Sequence, residues 1–137
     1  MEPKRIILHH SLTRDSQTVS WDAIRRYHVF NNGWAAIGYH WGIELIGSTY
    51  ETMIGRVSDR QGAHAYGQNG DSIGICFVGN YDLKSPTSEM LDQGLLLVRW
   101  LMRIYDIKKT DVYPHSEFST KTCPGRLFDV PQFVGAL

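Results

Sequence analysis

The chain has 137 residues and a mass of 15.6 kDa, room for one domain with a single core. Its 42% hydrophobic and 20% charged residues are ordinary globular composition and exclude a disordered chain. Fourteen basic and fourteen acidic residues cancel to a formal charge of zero, so no basic field exists to drive binding to nucleic acid or an anionic membrane.

Met1-Glu2-Pro3-Lys4-Arg5 precedes only three apolar residues, Ile6-Ile7-Leu8, too short a run for an export signal or a membrane insertion. The expectation is a chain made and folded in a cytoplasm. Arg5 to His9 reads as a short buried strand, β-branched and continuous. A polar turn follows over Thr13 to Thr18. Ser20 is then the expected N-cap of a helix to about Asn31, with Trp21, Ile24, Tyr27 and His28 as its inner stripe. Asn31-Asn32-Gly33 ends it with residues that tolerate left-handed geometry.

Tyr39 to Ile46 reads as a second strand, and Thr49 to Met53 pairs back on it as a hairpin around Gly47-Ser48. Gly55 to Gly70 is polar and glycine-spaced, a long surface loop of the kind that carries function. Ser72 to Gly79 is the clearest interior strand. Ser85 is expected to cap, and Pro86 to open, the longest helix, reaching about Tyr105. Its stripe is Leu91, Leu95, Val98, Met102 and Tyr105, widened by Leu97, Leu101 and Ile104. Val112-Tyr113 is a short strand, and residues after Asp129 form a terminal helix. Strands alternating with helices predict an α/β fold, one domain over residues 1–137, with a central mixed sheet flanked by helices.

Two cysteines, Cys76 and Cys123, make at most one bridge. That argues against a disulfide scaffold and leaves room for a thiolate metal ligand. His115 and Cys123 lie eight positions apart, and a loop of that length can fold back to place imidazole and thiolate on one zinc. Lys121, two positions before the cysteine, can favour the thiolate or meet charge developing beside a metal. His9 and His10 end the first strand, and alternation lets at most one of them share that site. Spacing does not choose between them. Tyr39-His40 poses the same choice on the second strand. His64, in its loop, is expected to be exposed, and Cys76 to be a buried inert thiol. Each of these residues has an ordinary structural alternative when taken singly.

Four segments together carry a resemblance. They are Ile6 to Thr13 with its His9-His10 pair; Ile37-Gly38-Tyr39-His40-Trp41; Gly62-Ala63-His64 through Asn69-Gly70-Asp71 to Ile75; and His115-Ser116-Glu117 through Lys121-Thr122-Cys123-Pro124-Gly125. In this order the chain resembles the zinc-dependent N-acetylmuramoyl-L-alanine amidases of type 2, a family that includes small phage endolysins and shares its fold with peptidoglycan recognition proteins. The resemblance implies one Zn2+ held by His9, His115 and Cys123, with Tyr39 and Lys121 catalytic. It also implies His64 and Asn69 lining the substrate groove, and bacterial peptidoglycan as the partner. Three protein ligands leave an open metal position, as hydrolytic zinc requires. Protons compete with zinc for these ligands, so affinity is expected to fall in mild acid.

The implied reaction is hydrolysis of the amide between N-acetylmuramic acid and L-alanine. The runner-up is a recognition module that binds cell wall without cleaving it; recognition proteins of this kind typically lack the cysteine ligand, and Cys123 is present. A third reading is a closed structural zinc site, with His10, His40 or His64 as fourth ligand. No wall-binding repeats accompany the motifs, so the expectation is a minimal monomeric endolysin waiting in the cytoplasm for release, or an intracellular recycling amidase.

Overall fold

A computed structural model describes residues 1–13 and 20–137. From position 14 on, the polar turn expected over Thr13 to Thr18 lies outside the described residues. Five strands form one mixed sheet: β1 (Arg5–His10), β2 (Trp41–Ile46), β3 (Thr49–Ile54), β4 (Ser72–Phe77) and β5 (Val112–Pro114). Their spatial order is β3-β2-β4-β1-β5. β1 runs parallel to both β4 and β5, β2 runs parallel to β4, and only the β2–β3 hairpin is antiparallel. The central strands β1 and β4 are buried along nearly their whole length, as parallel strands covered on both faces must be. That is why both read as continuous apolar runs. The second strand begins at Trp41 rather than Tyr39.

Alternation divides the sheet into two faces. Ile6, Leu8, Ile73, Ile75 and Phe77 pack against α2 (Ser88–Tyr105) and the aromatic residues Phe128 and Phe133. Trp21, Ile24, Ile37, Cys76 and Val78 form a smaller cluster on the other side. Among the described residues, five strands, three α-helices and two cores sharing one sheet match the α/β expectation.

The helix α2 starts two residues later than Ser85-Pro86 suggests. Thr87 is the cap, its hydroxyl accepting the Met90 N–H at 3.2 Å, which satisfies a donor left free in the first turn. Its buried face is Met90, Gly94, Leu97, Val98 and Leu101, rotated from the expected stripe. Leu91, Leu95, Met102 and Tyr105 pack at its margin, and Ile104 is exposed. The rotation has a cause: Gly94 lies over the Phe77 ring, where an added Cβ would come within 2.6 Å of it.

α1 (Trp21–Arg26) begins as expected at Ser20, whose hydroxyl accepts the Ala23 N–H. It then widens into a π-turn over Tyr27–Asn31. The extra residue per turn swings the register, so Trp21 and Ile24 stay buried while Tyr27 turns outward at 58% exposure. The terminal helix α3 (Val130–Gly135) is capped by Asp129, which accepts from Gln132. Among the described residues no helix is long and apolar enough to cross a membrane.

Candidate active site

β1 is the middle of the site because it sits between β4 and β5. His9 projects on the face away from α2, with Cys76 as its cross-strand neighbour on β4. His10 turns to the other face, where its Nδ1 accepts the Tyr81 N–H at 3.2 Å and its Nε2 has no hydrogen-bond partner among the described residues. β5 delivers the chain to His115 at the open end of the sheet. The loop after it is folded back by a Ser116 N–H bond to the Cys123 carbonyl at 2.8 Å and by a Gly125 N–H bond to the Thr122 carbonyl at 2.7 Å. Asp82 holds the same loop through the Thr122 hydroxyl (2.7 Å) and the Arg126 N–H (2.9 Å).

The result is a cluster of three donors from opposite ends of the chain. Metal-capable atoms of His9, His115 and Cys123 all lie within 4.8 Å of one another. Cys123 Sγ is 3.7 Å from His9 Nδ1, and the His9 and His115 rings are 4.5 Å apart. Two ligands of one tetrahedral zinc, at about 2.1 Å for nitrogen and 2.3 Å for sulfur, sit roughly 3.6 Å apart. The donor set and its spacing therefore fit zinc. His10 faces elsewhere, and both His40 nitrogens are engaged by backbone, with the Gly74 N–H at 2.9 Å and the Arg60 carbonyl at 2.7 Å. His64 is occupied by His9. A closed four-ligand site is thus not formed among the described residues.

Electrostatics at the cluster follow from burial. His9 is pushed well below the ordinary histidine range by desolvation, then by neighbouring His64 and His115. His115 is lowered by burial and by Lys121. Both imidazoles are therefore already neutral in mild acid. The Cys123 thiol is pushed up to about 12 by burial, against the opposing pull of the His10 N–H and Lys121. Of the three ligands for which the sequence reading has protons compete, Cys123 is the one whose proton the fold holds more tightly.

Tyr39 packs on His9 with ring centroids 5.2 Å apart. Burial, followed by the neighbouring thiols of Cys76 and Cys123, raises its hydroxyl well above the usual range. It stays protonated at neutral pH and can only donate to a developing negative charge or accept a bond.

Two grooves border the cluster. One, of about 400 Å3, is lined by Trp34, His64, Asn69, His115, Ser119 and Lys121 among others. The second, of about 380 Å3, is reached past Tyr39 and lined by Ser11, Thr13, Ile24, Tyr27 and His28. Trp34 escaped sequence reasoning because it lies outside the four segments, and Ser119 because nothing in the fourth segment singles it out.

His64 departs from expectation: it is 9% exposed, not a solvated loop residue. Its ring lies over Gly74, where an added Cβ would come within 2.5 Å of the His64 Cγ. Asn69 borders the groove and also shapes it, its Oδ1 accepting the N–H groups of His64 and Ala65 at 2.9 Å each.

Comparison with known proteins gives one consistent result. A family model described as N-acetylmuramoyl-L-alanine amidase matches residues 1–126. The endolysin of Klebsiella phage KP32 is 31% identical over 135 residues, covering 96% of this chain and 85% of that one. Peptidoglycan-recognition protein SC2 of Drosophila melanogaster is 33% identical over 125 residues, covering 87% of this chain and 66% of that protein. Among solved structures, N-acetylmuramoyl-L-alanine amidase LysC from Clostridium intestinale URNW superposes with a TM-score of 0.86 at 29% identity. The match covers 98% of this chain and 84% of LysC.

Proposed function

The chain belongs to the N-acetylmuramoyl-L-alanine amidase family, and on that premise we propose that it is a zinc-dependent endolysin. Its substrate is the amide between N-acetylmuramic acid and L-alanine in bacterial peptidoglycan. The observation that carries this reading is the convergence of His9, His115 and Cys123 within 4.8 Å at the border of a groove. Bound there, zinc supplies Lewis acidity toward the amide carbonyl and lowers the pKa of a water to about 7.

The protein's own groups do the rest. His9 and His115, kept neutral by burial, hold their lone pairs ready for the metal. Lys121, at the groove wall beside His115, places positive charge where the carbonyl oxygen becomes an oxyanion. The Tyr39 hydroxyl, held protonated, donates a hydrogen bond to the same developing charge. Each such donor in a site shielded from water is worth roughly 3–4 kcal/mol in the transition state. The peptidoglycan-recognition relative supports peptidoglycan recognition as a second reading. The complete three-donor set favours hydrolysis.

Two measurements test the proposal. Purified wall sacculi incubated with the protein should release new amino groups; chelation should stop the release, and added zinc should restore it. Release that persists with zinc shown to be absent would refute the metal's role. Lys121→Ala should lower turnover by about 100- to 1000-fold while the zinc content stays stoichiometric. Unchanged turnover would remove Lys121 from the mechanism.

A further inference from the structure

We propose that His64 is a positioning residue for the metal ligand His9, and that it acts by dictating which His9 nitrogen is free for the metal. This rests on the zinc reading above and deepens it. It also gives His64 a task beyond lining the groove.

A neutral imidazole carries one N–H and one lone pair, so a hydrogen bond at one nitrogen decides the character of the other. His9 Nε2 lies 2.9 Å from His64 Nδ1, while His9 Nδ1 lies 3.7 Å from Cys123 Sγ. Which ring donates is decided further back. The Ser72 hydroxyl donates to the Gln68 carbonyl at 2.6 Å, and a carbonyl can only accept. With its one proton committed, Ser72 Oγ presents lone pairs to His64 Nε2 at 3.4 Å. The Ser72 carbonyl, another pure acceptor, is 3.5 Å from the same nitrogen.

His64 therefore carries its proton on Nε2 and offers a lone pair at Nδ1. His9 must then carry its proton on Nε2 and aim the Nδ1 lone pair at the donor cluster. The direction of the whole chain, from Gln68 through Ser72 and His64 to His9, is anchored at a backbone oxygen.

The surroundings leave His64 little choice of pose. Gly74 makes room for the ring against the sheet. His40 packs edge-on to it with centroids 5.4 Å apart, and both His40 nitrogens are already bonded to backbone. Among the described residues, the His64 ring nitrogens meet only His9 and Ser72. Metal-bound histidines commonly owe their orientation to such an outer partner. Here that partner is itself a histidine.

The test is zinc affinity, measured by competition with a chromophoric chelator on the unaltered protein, His64→Leu and His64→Asn, with thermal unfolding of each metal-free form as a check on folding. His64→Leu should weaken zinc binding about 10- to 100-fold, whereas the amide oxygen of His64→Asn restores an acceptor for His9 and should return affinity to within about threefold. Wild-type affinity in the leucine variant, or equal weakness in both variants, would overturn the proposal. If the leucine variant does not fold, long-range proton–nitrogen NMR of the zinc-loaded unaltered protein decides. It should show His9 protonated at Nε2 and metal-bound at Nδ1, and the opposite assignment overturns the inference. Failure of the unaltered protein to take up zinc would instead sink the zinc reading, and this inference with it.

Discussion

Cys123→Ser is expected to strip zinc from the protein and end wall cleavage together, while the fold survives. Cys123 is 6% exposed, and its sulfur accepts the His10 N–H at 3.3 Å. A serine oxygen can still accept that bond, so little is lost from the metal-free structure. The metal loses its only sulfur donor. Four-ligand zinc sites bind with apparent energies of about 10–16 kcal/mol, so one ligand's share predicts a loss of more than about 100-fold in affinity. Amino-group release from sacculi should fall to background. Burial holds the Cys123 thiol up to about 12, so zinc uptake near neutrality must expel its proton. Zinc affinity of the unaltered protein should therefore rise about tenfold per pH unit between pH 7 and 9, and titration calorimetry in buffers of different ionisation heat should count one proton released. Stoichiometric zinc at unaltered affinity in the serine variant would mean that Cys123 is not a ligand.

The second large effect is acid destabilisation of the metal-free protein. All six histidines have pKa values depressed by the fold, with burial the first cause in every case. Below about pH 6.5 the unfolded chain takes up protons that the folded chain refuses, so stability is full above that pH and is lost as pH falls. His9 and His64 are the clearest contributors, at 1% and 9% exposure, with His64 pushed down to about 3. Each histidine still neutral in the fold at pH 5 costs about 2 kcal/mol relative to pH 7.5, so these two alone remove about 4 kcal/mol. That is a large part of the 5–15 kcal/mol that holds a typical domain together. Glu44, raised by burial, acts in the opposite sense but is a single group. Asp22 and Asp82 are lowered and titrate below this window. Thermal unfolding with chelator present should show the midpoint falling by more than about 10 °C between pH 7.5 and pH 5. Equal midpoints would mean that the buried histidines accept protons without cost.

Much of the fold was legible because its central strands are covered on both sides and so read as unbroken apolar runs. The Thr49 hairpin, the cap at Ser20 and the terminal helix after Asp129 were also plain. What the pattern missed depended on contacts between distant positions. The rotated face of α2 follows from Gly94 meeting Phe77, and the outward turn of Tyr27 follows from one extra residue in a helical turn. Ser85 and Thr87 are both good capping residues, and only the bond to Met90 separates them.

The site was legible in a different way. Spacing alone left His9 and His10 equivalent, and the family motif named His9; in the fold only His9 faces His115 and Cys123. The burial of His64 was invisible to either approach, because the room it occupies is made by a glycine on another strand. The upward push on the Cys123 thiol likewise belongs to the pocket rather than to the residue type.

Two of the three donors arrive on the far side of β5, more than a hundred residues after His9 leaves the ribosome. A nascent chain can therefore assemble β1 to β4 and α2 while still lacking any metal centre. The three-donor cluster is completed only when β5 docks along β1 and the loop bearing His115 and Cys123 closes over it. Trimming by a protease from the C-terminal side would disarm the molecule well before it reached the central strands.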